Sequence, residues 1–116
     1  MIEAALAADG VALADEYLAA LEKSKKDRDQ DHLTDIVLVF EEFARTGELI
    51  IPRELNELRD GLWEIKVGKA RFPFFYLAES AAGALRLTHW FKKGTDKTPI
   101  GEINKANWVR GKDLEQ

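Results

Sequence analysis

The sequence predicts a single α+β domain, in which an N-terminal antiparallel helix hairpin packs on a small antiparallel β-meander and a short helix follows at the C-terminal end. The length of 116 residues is typical of one domain. Apolar residues recur with a period of about 3.6 in the first half of the chain, and the period changes to about 2 after Gly61. We therefore expect one domain over residues 1–116, with the hairpin covering the apolar face of the sheet.

Two amphipathic helices are predicted in the first half. The first runs from about Val11 to Lys26, with apolar side chains at helical spacing. Residues 23–31 contain nothing apolar and are expected to form a solvated helix end and a turn. In the second helix, Asp31 is placed to cap the start, and Gly47 stands where a glycine often ends a helix. The apolar face of this helix consists of Leu33, Ile36, Val37, Phe40 and Ala44.

Shorter segments have weaker patterns. The first six residues show no convincing alternation, so a first strand is expected to be missing or altered. Residues 49–52 make an apolar crossing, and Leu55 with Leu58 marks one further helical turn. Thr98-Pro99 opens the last helix, because proline fits well in a first turn. The apolar face of this last helix is weak and consists of Ile103, Ala106 and Asn107.

Three strands, over residues 63–67, 71–79 and 84–92, are predicted to form the meander, with Ser80–Gly83 as a turn. Pro73 has no N–H for a ladder, so it implies an edge, a bulge or a non-bonded side. Alternation in the second strand places Phe72, Phe74 and Tyr76 on one face and Arg71, Phe75 and Leu77 on the other. Alternation in the third strand places Leu85, Leu87, His89 and Phe91 on one face and Arg86, Thr88, Trp90 and Lys92 on the other. Arg86 and Lys92 are thus expected to point at a phosphate from one face.

The charge of the chain is divided between its halves. Residues 1–60 hold 7 Lys and Arg against 15 Asp and Glu, a net −8, whereas residues 61–116 hold 10 against 6, a net +4. This asymmetry suggests one surface suited to a polyanion. The alternative is that exposed helices carry acids and exposed strands carry lysines for solubility.

The composition of the chain argues against several kinds of site and of targeting segment. The chain has no cysteine, which removes disulfides, thiolate nucleophiles and Cys-based metal sites. No apolar run approaches the ~20 residues of a membrane span. A signal peptide begins with a basic region, whereas the N-terminus of this chain carries the acidic residues Glu3 and Asp9. A cytoplasmic protein without a membrane partner, a metal or an organic cofactor is expected.

The second half of the chain contains a series of short motifs in a definite order. Residues 58–65 read LRDGLWEI, Tyr76 follows, residues 87–93 read LTHWFKK, and Lys97-Thr98-Pro99 precedes a helix with Glu102 and Ala106. These motifs resemble the RelE/ParE toxin superfamily of type II toxin–antitoxin modules, and most of all its phage-derived HigB-like branch. The resemblance covers about half the chain, and members of the family usually begin with a short strand before the first helix. Pro73 replaces a frequent arginine, and Trp90 a frequent glycine.

The resemblance implies a toxin that cleaves mRNA in the translating ribosome, with a helix-turn-helix antitoxin as its partner. Attack by the 2′-hydroxyl of the RNA needs a base, an acid and cations that stabilise the developing charge, but no metal. The basic half supplies candidates for these roles. The catalytic candidates are Arg71, Arg86, His89, Lys92 and Lys93. The RNA-binding candidates are Lys66, Lys69, Trp90 and Lys97.

Alternatives remain at several of these positions and for the whole chain. His89 is also typical of a hydrogen-bonded core histidine, Arg71 of an ion pair, and Tyr76 of a sheet face. Trp90 is suited equally to stacking on a base and to packing. The acidic helical half and Pro73 favour the other functional interpretation, a binding protein of the same fold without nuclease activity. This would be a ParE-like inhibitor of DNA gyrase or a degenerate toxin.

Overall fold

Three helices and a six-stranded mixed sheet form the part of the chain that the computed structural model describes, residues 2–7, 10–46, 55–77, 85–94 and 98–115. The expected α+β class is therefore confirmed. The elements in chain order are β1 (Ile2–Ala4), α1 (Leu13–Lys23), α2 (Asp27–Thr46), β2 (Leu55–Glu57), β3 (Leu62–Val67), β4 (Ala70–Tyr76), β5 (Leu85–Leu87), β6 (Phe91–Lys92) and α3 (Ile100–Leu114). None of the described helices is long and apolar enough to cross a membrane.

The sheet begins with a strand that was not expected. Its order is β1-β5-β4-β3-β2, with β6 also paired to β4, and β1 runs parallel to β5. The expectation of a missing or altered first strand is wrong, because Ile2–Ala4 pairs with Leu85–Leu87 through the backbone. A three-residue strand is too short for its alternation to stand out from the sequence.

The helix hairpin has a tighter turn than the polar composition suggested. Only residues 24–26 separate α1 from α2, so α2 begins at Asp27, four residues before the expected cap at Asp31. The Gln30 amide nitrogen donates to the carbonyl oxygens of Leu21 at 3.1 Å and Ser24 at 2.7 Å, at the end of α1. Acids at the start of α2 also favour a helix N-terminus. The expected glycine stop at Gly47 lies outside the described residues.

The helical turn that was expected at Leu55 and Leu58 is an edge strand instead. Leu55–Glu57 is β2, paired antiparallel with β3 so that Leu55 lies opposite Ile65. The helical prediction for Leu55 and Leu58 is wrong, because pairing with β3 outweighs a two-residue helical spacing. The apolar crossing at 49–52 and the turn at 80–83 lie outside the described residues.

Pro73 interrupts the ladder along β4. Phe74 lies opposite Leu87 and Arg71 lies opposite Phe91, so residues 88–90 face only residues 72 and 73. Pro73 has no N–H to donate, and its carbonyl accepts from the backbone N–H of Thr88 at 2.8 Å. The extra residue is accommodated as a bulge, one of the three alternatives that the proline implied.

The bulge reverses the faces of the last strand. The prediction of one continuous strand over 84–92 is wrong, because β5 and β6 are separate. Arg86 lies opposite Phe75, whereas Lys92 lies opposite Ala70, and alternation along β4 puts Phe75 and Ala70 on different faces. Arg86 and Lys92 therefore do not share a face.

Both faces of the sheet are covered by helices. On the hairpin side, Phe43 meets Phe74 edge to face with ring centroids 5.7 Å apart, and Ile36 and Phe72 are fully buried. The hairpin therefore covers this face of the sheet, but the expected order of an N-terminal hairpin followed by an antiparallel meander is wrong, because the sheet is mixed and begins with β1. On the other side, α3 buries Leu62 and Phe75 under Ala106 and Val109, so α3 is longer and packs more extensively than its modest pattern suggested.

Candidate functional site

A pocket of about 330 Å³ opens between the beginning of α3 and the sheet face that α3 covers. Strands β2 and β3 each contribute two residues to it, β4 and β6 contribute one each, and Thr98 and Pro99 close it in front of α3. We call it the α3 pocket. Its lining consists of Asn56, Glu57, Leu58, Glu64, Lys66, Arg71, Phe91, Lys93, Thr98, Pro99 and Ile103.

A buried carboxylate lies in the wall of the α3 pocket. Glu64 is only 2% exposed. The Thr98 hydroxyl lies 3.0 Å from Oε1 and 2.9 Å from Oε2 of Glu64, and the Asn56 amide nitrogen lies 3.5 Å from Oε1. A single hydroxyl proton does not satisfy both carboxylate oxygens, so Glu64 retains capacity to accept further hydrogen bonds.

Three basic side chains line the same pocket. Arg71 is 8% exposed, and its Nη1 donates to the carbonyl oxygens of Gly68 at 2.8 Å and Ala70 at 3.0 Å. Lys66 lies opposite Arg71 in the β3–β4 register. The backbone N–H of Lys93 donates to the carbonyl of Lys69 at 2.7 Å, which holds this segment against the turn between β3 and β4. A carboxylate beside cations can take up a proton while the cations stabilise an anion.

His89 lies outside this pocket and is 1% exposed. Its Nε2 lies 3.2 Å from Oε2 of Glu102, and its Nδ1 lies 3.0 Å from the Thr88 hydroxyl oxygen. Burial lowers the pKa of His89, although Glu102 acts in the opposite direction, and Lys105 lowers it further. The Thr88 hydroxyl also donates to the carbonyl oxygen of Pro73 at 3.2 Å, so its single proton is not available to Nδ1 of His89.

Arg86 is held on the same side of the sheet but away from the pocket. Its Nη1 lies 2.9 Å from both carboxylate oxygens of Asp113, whose side chain is fully buried. Its Nε lies 3.4 Å from Oε2 of Glu3. The backbone N–H of Leu6 also donates to Asp113 at 2.9 Å. This cluster ties β1 and β5 to the end of α3.

The remaining sequence candidates lie elsewhere. The Trp90 ring stacks on Tyr17, with centroids 3.8 Å apart and planes at 18°, so one face of the indole is used in packing. Lys92 is exposed on the hairpin face, and Lys69 is exposed in the turn between β3 and β4. Tyr76 is half-exposed and meets Phe74 edge to face. Lys97 lies outside the described residues.

The α3 pocket thus brings together three of the nine sequence candidates, Lys66, Arg71 and Lys93. It adds Glu64 and Thr98, which sequence reasoning did not select. One signal pointed to Glu64: Leu62 and Glu64 share a face of β3, and Arg71 shares a face of β4 with apolar Phe75. An apolar residue at one end of a polar face indicates that this face is also covered.

Among the described residues, no group of three or more His, Asp or Glu side chains is placed to bind a metal ion. No protein-family model matches the chain, and no curated protein matches it closely enough to indicate a relative.

Proposed function

We propose that this chain is the toxin of a type II toxin–antitoxin module and acts as a ribosome-dependent mRNA endoribonuclease. The observation that carries the proposal is the α3 pocket, where buried Glu64 lies among Lys66, Arg71 and Lys93. The order of elements adds support, because β1 precedes the helix hairpin as in most members of the family that the sequence resembles. A helix-turn-helix antitoxin, the ribosome and mRNA are the partners that the proposal requires.

The pocket residues have distinct roles in this reaction. Glu64 accepts the proton of the ribose 2′-hydroxyl as its oxygen attacks the adjacent phosphorus. Thr98 keeps the carboxylate oriented for this step. Arg71 and the two lysines stabilise the negative charge that develops on the phosphate oxygens. An ammonium group of Lys66 or Lys93 protonates the departing 5′-oxygen. The products are a 2′,3′-cyclic phosphate and a 5′-hydroxyl.

Cleavage on programmed ribosomes tests the proposal. We expect purified protein to cut a defined mRNA and leave a 2′,3′-cyclic phosphate, detected by mapping the ends with and without phosphatase treatment. Glu64→Gln should lower the cleavage rate by a factor on the order of 10²–10⁴, since it preserves shape but removes the base. Lys93→Ala should lower it roughly a hundredfold.

Two variants sharpen the test. Lys92→Ala removes the neighbouring charge on the opposite face of the sheet and should leave the rate within about twofold of wild type. Lys25→Ala, in the exposed hairpin turn, is the control for general loss of positive charge. Absence of cleavage by the wild type, or an active Glu64→Gln protein, would contradict the proposed chemistry.

The second candidate is a binding protein of this fold without nuclease activity, such as an inhibitor of DNA gyrase. Its support is that Arg86, His89 and Trp90 are engaged in contacts within the protein. Separate pulses that label protein and DNA during induced expression distinguish the two candidates. An early stop in DNA synthesis, with inhibition of gyrase supercoiling by the purified protein, would favour this second function.

A further inference from the structure

A second, open groove of about 640 Å³ lies on the opposite side of the sheet from the α3 pocket. It runs between the helix hairpin and the edge of the sheet at β1, and we call it the hairpin groove. Leu87, one of its lining residues, lies opposite Phe74 on the sheet face that the hairpin covers. The lining residues are Ile2, Glu3, Ala4, Asp15, Leu18, Phe40, Glu41, Ala44 and Leu87.

The floor of the hairpin groove is apolar. Leu18 of α1 and Phe40 of α2 are half-buried against the core, and both still line the groove. Val37 extends this surface, because it lies one helical turn before Glu41 and two turns before Ala44, and it is 43% exposed. Apolar side chains that line an open groove provide the contact area that an amphipathic partner needs.

Acids from three elements form the rim of the groove. Glu3 comes from β1, Asp15 from α1 and Glu41 from α2. Glu3 shares its charge with Arg86, whose Nε lies 3.4 Å away. Asp15 and Glu41 are exposed, and within the described ranges neither forms an ion pair that would neutralise it. Asp15 and Glu41 therefore give the rim negative charge that no ion pair within the described ranges neutralises, in line with the net −8 of residues 1–60.

We propose that the hairpin groove binds a basic amphipathic segment of a partner protein. Aliphatic side chains of the segment fill the floor at Leu18 and Phe40, and its Lys or Arg side chains pair with Asp15 and Glu41. Charge complementarity selects this occupant, because the acidic rim repels nucleic acid and acidic segments. The groove and the α3 pocket lie on different faces, so this interaction does not depend on the proposed nuclease activity.

A peptide pair tests the assignment directly. The probe is a fluorescein-labelled amphipathic peptide of about 18 residues, with Leu at helical spacing and Lys elsewhere, and its counterpart replaces every Lys by Glu. Fluorescence anisotropy should show binding of the Lys peptide, with a Kd on the order of micromolar that rises with salt, and no binding of the Glu peptide. Amide chemical-shift changes should fall on α1, α2 and β1.

Matched charge reversals decide whether the groove is the site. Asp15→Lys/Glu41→Lys should weaken binding roughly tenfold or more. Glu16→Lys/Asp35→Lys makes the same change in charge on the same two helices, at exposed positions outside the groove, and should keep the Kd within about twofold. Equal loss in both double variants, binding of the Glu peptide, or shifts confined to the α3 face would overturn the proposal. So would light scattering that shows a dimer in the wild type but not in Asp15→Lys/Glu41→Lys, because a second copy of the chain would then occupy the groove.

Discussion

His89 is a residue where burial and a neighbouring carboxylate act in opposite directions. Burial lowers its pKa from the ordinary value of 6.5, and Glu102 at 3.2 Å does not compensate fully. Below about pH 6.5, the unfolded chain therefore binds a proton at this histidine more readily than the folded chain does. His89 thus favours the folded state above this pH and disfavours it as the pH falls towards the lowered pKa.

We expect the free energy of unfolding to fall between pH 7.5 and pH 5.5 more steeply in the wild type than in His89→Gln. The difference in slope should reach up to about 1.4 kcal/mol per pH unit, which is the most that one proton contributes. Urea unfolding at a series of pH values measures both slopes. A wild-type slope no steeper than that of His89→Gln would mean that Glu102 outweighs the burial.

At the scale of elements, the Arg86–Asp113 pair connects β5 to α3. Asp113→Asn should lower the free energy of unfolding by about 2–4 kcal/mol, because it removes the closer and fully buried carboxylate from the partly buried Arg86 and leaves only the more exposed Glu3. Urea denaturation at neutral pH is the measurement. Glu115→Gln, which removes an exposed carboxylate 3.7 Å from Lys112, is the control and should cost less than about 0.5 kcal/mol.

The same pair bears on Arg86 as a catalytic candidate, because the contact with Asp113 holds Arg86 away from the α3 pocket. If Arg86→Met loses stability to a similar extent, and Arg86→Met/Asp113→Leu recovers part of it, Arg86 has the structural role that its contacts indicate. Unchanged stability in Arg86→Met together with lost RNA cleavage would instead support its original assignment as a catalytic residue.

Elements with long periodic patterns could be predicted from the sequence, and short elements could not. The spacing from Leu33 to Ala44 identified α2, and the alternation from Phe72 to Leu77 identified the two faces of β4. Strands β1 and β2 have three residues each, and they form through pairing with distant segments rather than through local preference. The separation of β5 from β6 depends on which residues of the neighbouring strand lie opposite Pro73. This register between strands cannot be read from the alternation within one strand.

For the whole molecule, the site could be predicted only in part, because it requires α3 to fold over the second face of the sheet. Lys66, Arg71 and Lys93 were selected from the family resemblance together with their positive charge. Glu64 becomes significant only when Thr98, 34 positions away, reaches its carboxylate. A glutamate in a strand usually lies on a solvated face, so residue type and strand position did not single out Glu64.

The division of charge over the whole molecule leads to a prediction about salt. A single-stranded RNA with 2′-O-methyl riboses cannot be cleaved, so its affinity reports binding alone. For single strands, the slope of log K against log salt changes by about 0.7 for each phosphate contact. Lys66→Ala/Lys93→Ala should therefore reduce the slope by about 1.4. Lys23→Ala/Lys25→Ala removes the same charge from exposed positions at the end of α1 and in the hairpin turn and should leave the slope unchanged. Fluorescence anisotropy from 50 to 300 mM salt gives each slope. An equal reduction in the two double variants would mean that the net charge of the chain, rather than the α3 pocket, holds the RNA.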